Sequence, residues 1–569
     1  MLSRRHFTTT ALSSTALVIS GCSIWDLPSP ESHPLGEGAV DVHMHLFNGR
    51  DVPALGFLKQ VIFRDMGDGL PGGLVLPLAE LITRFLLAGT RTAEEELKGL
   101  RAAPAQEDEV VLAQAIDGYY GQARSSGTAM MVRHGVAEPG STAIALPQPE
   151  AILLKEMAKA AGVPLAEAAA GIPASEASIA STARTGKAAP ASTPSIGQQL
   201  APGLLNPDGA TVDAQSLNLA GVLQWATLMT RDRSDIRARA RALYGKAGEA
   251  RIFCSYLVDM GMWLNPVEPL STSSMADQIA LSAVLSRADQ QVLILNFAAF
   301  CPLRAAVDGS GVLDKVQDAV RNQGFAGVKL YPSMGFRPDN NSSISFAHAS
   351  KRVRENPPPG RALDEALAAL YRWCEAEDVP IATHGSHSMG AGLGTEAYSA
   401  PWLWAPVLRA YPRLRVNLAH FGGFGGHNPE SWQQQLGDLM TEDAQLFFDT
   451  GYWDMAARDH SDRPNGPLQT SRAFLQQFPI AEKRMMYGSD WHMIAREPDH
   501  PAYHGQIRDF VTALAEGDTA LRRDIMGDNA LRWLGLDRRE GAQFARLSAH
   551  FGGNAVWQSL FGQSQLRRG

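Results

Sequence analysis

The stretch Ala39-Val40-Asp41-Val42-His43-Met44-His45 alternates apolar and polar residues, the period of a β-strand. Residues two apart on a strand share a face, so His43 and His45 point the same way, with Asp41 behind them. Two imidazoles side by side at the C-terminal end of a strand suit one divalent metal ion. An HxH pair fixes few positions, and alone it would fit a half-buried strand equally well. The rest of the chain decides between these readings.

From residue 252 the pattern becomes regular. Apolar strand-like runs recur at 252–258, 291–297, 326–331, 379–384, 414–420, 445–450 and 484–490. Helical segments lie between them, among them 275–287, 312–321, 362–377 and 432–440. Successive runs start roughly 30 to 55 residues apart, the rhythm of βα units and a parallel sheet. With the HxH strand the runs number eight, which predicts a (β/α)₈ TIM barrel; an open doubly wound sheet would share the pattern to this point.

The polar residues favour the barrel. Its active site lies at the C-terminal ends of the strands. Those ends carry His43 and His45 on the first, Lys329 on the fourth, His384 on the fifth, His420 on the sixth and Asp490 on the eighth. Each His and Asp of this set closes an apolar run, as in Ile381-Ala382-Thr383-His384 and Val416-Asn417-Leu418-Ala419-His420. A single His is more often a core or surface residue; four at strand ends together with an Asp make a joint signal. His43, His45, His384 and Asp490 would offer three nitrogens and one oxygen, a set that suits Zn²⁺ or a similar ion.

These stretches resemble the amidohydrolase superfamily, and within it the amidohydrolase-related group that includes decarboxylases of aromatic acids. The resemblance rests on Asp41-Val42-His43-Met44-His45, Gly327-Val328-Lys329-Leu330-Tyr331-Pro332, Thr383-His384-Gly385, Ala419-His420-Phe421-Gly422-Gly423 and Tyr487-Gly488-Ser489-Asp490-Trp491. Gly527-Asp528-Asn529-Ala530-Leu531-Arg532-Trp533 looks like that group's closing helix. The likeness implies that His43, His45 and His384 are metal ligands, that Asp490 is a ligand or base, and that His420 is a further ligand or the acid/base residue. One or two ions are implied, the second bridged by a carboxylated Lys329. Lys329 could equally bind a substrate carboxylate together with Arg337, or form an ordinary salt bridge. His387 and His492, though close to these positions, read as loop residues.

The implied chemistry follows from charge. A bound cation lowers the pKa of its water toward neutrality and polarises a carbonyl oxygen. Asp490 would take the water's proton and pass it to the leaving group, and His420 would hold the developing oxyanion. The first expectation is therefore a metal-dependent hydrolase of an amide, ester or lactone bond in a small-molecule substrate. A metal-dependent decarboxylase of an aromatic or unsaturated acid is the alternative. A lipid-anchored binding protein on a degenerate barrel is the third reading, which the intact ligand set opposes.

Outside the barrel segments, 39–50 and 251–540, the chain divides by composition. Ser3-Arg4-Arg5-His6-Phe7 is a twin-arginine pattern, and Ile19-Ser20-Gly21-Cys22 resembles a bacterial lipoprotein box with Cys22 lipidated. Residues 1–22 thus read as an export signal and 23–38, rich in Pro, Ser and Glu, as a tether. The implied location is the bacterial periplasm, with the membrane as a partner through the lipid anchor. Residues 51–250 read as a mainly helical insertion or cap between the first two strands, with a flexible Ala/Ser/Thr/Pro-rich loop at 167–197. Residues 541–569 form a C-terminal extension.

A net charge of −8 gives no sign of a nucleic-acid surface. With Cys22 set aside, Cys254, Cys301 and Cys374 remain; the odd number points to buried thiols instead of a disulfide framework. Glu80 and Arg84 break the apolar run from Leu74 to Leu87 into an amphipathic helix, not a membrane span.

Overall fold

A computed structural model of the chain describes residues 35, 38–65, 72–102, 219–245, 249–264, 272–421, 431–441, 444–497 and 499–562. Eight parallel strands follow one another around a single sheet in the order β1 to β8. They are β1 (Ala39–Met44), β2 (Ala250–Tyr256), β3 (Leu293–Ala299), β4 (Gly327–Leu330), β5 (Ile381–His384), β6 (Val416–Ala419), β7 (Leu446–Asp449) and β8 (Met485–Met486). Each consecutive pair is parallel.

The ring closes between its first and last members. Val42 N donates to Tyr487 O at 3.0 Å, Asp490 N donates to His43 O at 2.7 Å, and His45 N donates to Trp491 O. A parallel bridge joins Met44 to Trp491. The predicted barrel is the observed one.

Strand periodicity sets what each face buries. Ile252, Cys254 and Tyr256 of β2 share an inner cluster with Leu293, Leu295 and Phe297 of β3, whereas Phe253, Ile294 and Ala298 belong to the layer under the helices. Both faces are buried, which is why the strands read as continuous apolar runs. The inner cluster ends on the C-terminal helices: Trp533 stacks on Phe297 with ring centroids 5.2 Å apart. Gln543 Nε2 donates to Ala326 O and Asn554 Nδ2 to Asp289 O, both at 2.6 Å. Those carbonyls lie on segments leading into β4 and β3, so the extension plugs the N-terminal end of the barrel and leaves the opposite end to the loops.

The outer helices follow from local signals. Ser274 caps the helix Met275–Ala288 by accepting from Asp277 N at 3.1 Å. The helix Gly360–Ala376 buries Leu363, Leu367, Leu370 and Cys374 along one stripe.

The described residues of the insertion include the helices Gly72–Gly89, Ala93–Ala102, Leu219–Met229 and Arg233–Tyr244. The last two are separate helices, and between them Asp232 accepts from Arg91 Nε at 3.0 Å instead of capping the helix that follows it. Arg233 joins these helices to one another and to the barrel segment: its buried guanidinium pairs with both Asp51 and Glu96, and its Nη2 donates to Ser273 Oγ at 2.9 Å. Residues 103–218, with the expected flexible loop, lie outside the described residues, as do Cys22, the tether up to 34 and the glycines at 422–426.

Cys254, Cys301 and Cys374 are all buried free thiols. Among the described residues no helix is long and apolar enough to cross a membrane.

Two boundaries differ from the sequence reading in a way that matters for the site. The last strand, expected over 484–490, pairs in the ladder only at Met485–Met486. Asp490 stands beyond it at φ 57°, because the Asp41 side chain accepts from Ser489 N at 2.9 Å and bends the segment across the barrel mouth. His420 likewise lies just past β6, at φ 68°.

Candidate metal centre

β1 carries His43, and His45 follows directly on its end; both are buried at the barrel mouth. Each ring is anchored through Nδ1. His43 Nδ1 lies 3.3 Å from Asp449 Oδ1, and His45 Nδ1 lies 3.1 Å from Tyr256 O. A carbonyl only accepts, so His45 carries its proton on Nδ1 and turns a lone pair at Nε2 inward. The Asp449 carboxylate makes the same demand of His43.

Asp490 faces both inward nitrogens: its Oδ1 lies 3.3 Å from His43 Nε2 and 3.4 Å from His45 Nε2. One ligand atom from each of the three residues falls within 4.8 Å of the other two. Three acceptors thus point at one another in a buried space, an arrangement that a shared cation resolves and that leaves mutual repulsion without one.

His384 and His420 stand beside this group. The His420 ring lies 4.6 Å from that of His43 and 4.8 Å from that of His384, so it sits between them. Its Nδ1 faces Gly451 O at 2.8 Å, which leaves Nε2 as the free acceptor. His384 is held from the other side: Nε2 lies 3.2 Å from Ser388 O and 3.3 Å from Ser386 Oγ, while Tyr331 stacks on the ring at 4.8 Å. His384 Nδ1 is buried with no hydrogen-bond partner. It is not one of the three residues that converge most tightly, yet it has an unused nitrogen.

Electrostatics follow from burial and neighbours. Burial lowers His420 to about 4 and holds His43 and His384 below the ordinary imidazole range, in spite of Asp490 nearby. Burial thus favours the neutral form of these rings, the form that ligates. Burial pushes Asp490 up, but His43, His45 and His420 outweigh it and hold the carboxyl well below the usual carboxylate range.

Lys329 lies within β4, and burial lowers its ammonium to about 8. Its Nζ has no hydrogen-bond partner and sits over the rings of Tyr256 and Tyr331, at 4.6 and 5.2 Å. Arg337 is engaged on its own loop, donating to Asn340 O and Ser343 Oγ with its guanidinium over Tyr398. None of those contacts joins it to Lys329 or the histidines. Of the two histidines read as loop residues, His492 has its Nε2 2.8 Å from Phe47 O, and the His387 ring packs on Trp432.

Sequence reading missed Asp449 and Gly451. Asp449 ends the run Leu446-Phe447-Phe448-Asp449, the same signal that marked the histidines. Gly451 left no signal of its own; a Cβ there would lie 2.7 Å from His43 Nδ1 and 2.9 Å from Asp449 Oδ1.

Residues 294–536 match the amidohydrolase family model. The matched span contains Lys329, His384, His420, Asp449 and Asp490, and leaves His43 and His45 upstream of it. No curated protein matches the chain. Among solved structures, the chain is similar to an uncharacterized TIM-barrel protein from Bordetella bronchiseptica, at 16% identity over 53% of this chain and 82% of that one, TM-score 0.34. It is similar to 5-carboxyvanillate decarboxylase from Sphingomonas paucimobilis at 12% identity, over 56% and 90%, TM-score 0.34. It is also similar to amidohydrolase 2 from Bifidobacterium longum subsp. infantis at 14% identity, over 52% and 86%, TM-score 0.29. The matched span and the His-His-Asp group share Asp490.

Proposed function

We propose that the chain is a metal-dependent hydrolase of an amide, ester or lactone bond, with a divalent ion of the zinc type held by His43, His45, His384 and Asp490. The observation that carries this reading is the convergence of His43 Nε2, His45 Nε2 and Asp490 Oδ1, all buried. The donor chemistry fits: neutral imidazoles and an ionised carboxylate are what a zinc-type ion takes, and His384 Nδ1 is buried without a hydrogen-bond partner. An ion held there supplies Lewis acidity and brings the pKa of water toward neutrality.

The chain's own groups supply the rest. Asp490 is ionised and placed to accept a proton from the nucleophile. His420, with Nδ1 bonded to Gly451 O, offers only Nε2 to the site. In its neutral form it accepts a proton; it can hold an oxyanion only after protonation. His420 is therefore better cast as the acid/base partner than as the oxyanion holder first expected. Lys329, buried and free of hydrogen bonds, would bind an anionic part of the substrate.

That same ammonium supports the second reading, a metal-dependent decarboxylase of an aromatic or unsaturated acid. Lys329 is a buried ammonium without a hydrogen-bond partner, the charge that a substrate carboxylate would take. The N-terminal reading, a periplasmic protein anchored by lipid on Cys22, belongs to the same proposal; mass measurement of membrane-extracted chain tests it.

The deciding experiment has two parts. Elemental analysis of the protein beside its His43→Ala/His45→Ala variant should find one or two zinc-type ions per chain, lost in the variant. Metal-free protein that takes up no zinc overturns the reading. With a turned-over substrate, incorporation of labelled solvent oxygen marks hydrolysis, and release of carbon dioxide without it moves the decarboxylase reading to the front.

A further inference from the structure

Asp449 closes β7 with its whole carboxylate buried, and both oxygens are in use. Oδ1 accepts from His420 N at 3.1 Å and from Gly451 N at 2.9 Å, and faces His43 Nδ1 at 3.3 Å. Oδ2 accepts from Asn417 Nδ2 at 2.7 Å. Gly451 in turn presents its carbonyl to His420 Nδ1 at 2.8 Å. One short turn at the end of β7 therefore grips the ring of His43, the backbone of His420 and the ring of His420.

We propose that Asp449 is the positioning residue of this centre, a carboxylate that orients the metal ligand His43 and the acid/base residue His420 together. The inference rests on the metal reading above. The argument is geometric. His420 stands at φ 68°, a conformation that a residue with a Cβ seldom adopts, and its amide is held there by Asp449 Oδ1. The ring of His43 packs against Tyr256 and His420, and its Nδ1 is held by the same carboxylate. A carboxylate on the outer nitrogen of a ligating histidine fixes its tautomer, raises its basicity and aims its lone pair. Here the same oxygen also sets the backbone that carries the next histidine, so the distance between the two rings is fixed from one point. Asn417 holds the far oxygen and keeps the carboxylate from turning away.

Cobalt(II) is the probe. Its affinity is read by competition with a chromophoric chelator, and its visible absorption reports the ligand geometry. Asp449→Asn should weaken cobalt binding by about 10- to 100-fold and change the spectrum of the loaded protein. Asp449→Glu should restore part of the affinity, and Asn417→Ala, which leaves the carboxylate in place, should cost only a few-fold. A residue that merely supports the fold would lower stability without moving the spectrum.

Tight cobalt binding with an unchanged spectrum in Asp449→Asn overturns the inference. If that variant does not fold, unchanged affinity and spectrum in both Asp449→Glu and Asn417→Ala overturn it instead. The two readings fail separately. Wild-type protein that takes up no cobalt overturns the metal centre and this role with it. Binding lost in His43→Ala/His45→Ala but untouched in Asp449→Asn overturns this role alone.

Discussion

Asp41 and Ser489, 448 residues apart in the chain, are joined by a hydrogen bond: the Ser489 amide donates to Asp41 Oδ1 at 2.9 Å. The same oxygen accepts from His43 N at 3.1 Å. The group that helps close the barrel between its first and last strands thus also fixes the backbone of a proposed ligand. Asp41→Ala leaves two buried amides without an acceptor, at about 1–3 kcal/mol each. Loss of metal binding should accompany the loss of stability. Asp41→Asn keeps an acceptor oxygen and should retain most of both. Chemical denaturation and metal content of the two variants check this; an Ala variant that matches wild type in both would show the bond to be dispensable.

Gly451 has no room for a side chain, since a Cβ would meet both His43 Nδ1 and Asp449 Oδ1 at less than 3 Å. Gly451→Ala should therefore push these two groups apart. The expected cost is about 1–3 kcal/mol of stability, the usual range for overpacking, with weaker metal binding. Denaturation together with a zinc competition titration reads both effects. Stability lost with zinc affinity intact would mean that the strain relaxes away from His43.

The buried Arg233 answers two carboxylates at once, with Nε donating to Asp51 Oδ2 at 2.8 Å and its far end pairing with Glu96. Replacing it by Met leaves Asp51 and Glu96 buried and facing each other. Removing one partner of such a group costs about 3–5 kcal/mol. Arg233→Met should be strongly destabilised in denaturant, and adding Asp51→Asn and Glu96→Gln should recover much of the loss. Without that recovery, packing of the arginine stem and not charge would be the main contribution.

His504 gives a pH dependence of known sign. Burial, with Arg508 as the lesser cause, lowers its ring from 6.5 to about 4. The unfolded chain therefore takes up this proton first as the pH falls. The contribution of His504 to stability is complete above about pH 6.5 and is lost as the pH drops toward 4, on the order of 3 kcal/mol over the interval. Denaturation midpoints at pH 7.5 and pH 5 should draw closer together in His504→Leu than in wild type. Equal pH slopes would show that this ring does not stay neutral in the folded protein.

The barrel was legible because its strands are buried on both faces and read as apolar runs at βα spacing. His43 and His45 were legible because two residues apart on a strand means one face. The same logic misjudged Asp490, for an apolar run does not say where hydrogen bonding in the ladder stops; a side chain, Asp41, ends it early. Asp449 carried the signal of a polar residue closing an apolar run and was passed over because an Asp there has no motif partner nearby in sequence. Gly451 could not have been singled out at all. Its need arises from two side chains that reach it from β1 and β7 only in the folded barrel. The loop after β4 shows the converse: Arg337 is near Lys329 in sequence, but its guanidinium turns to Tyr398.

The strand order has a consequence for the timing of synthesis. The first and last strands meet at the centre, across the 448-residue separation of Asp41 and Ser489. At roughly 5–20 residues per second, a ribosome needs on the order of half a minute or more to reach the carboxylate that the two histidines face. Throughout that time the proposed donor set lacks its carboxylate. The proposed donor set is complete only once Asp490 has been made, so an ion would be chosen late, from whatever surrounds the nearly completed barrel.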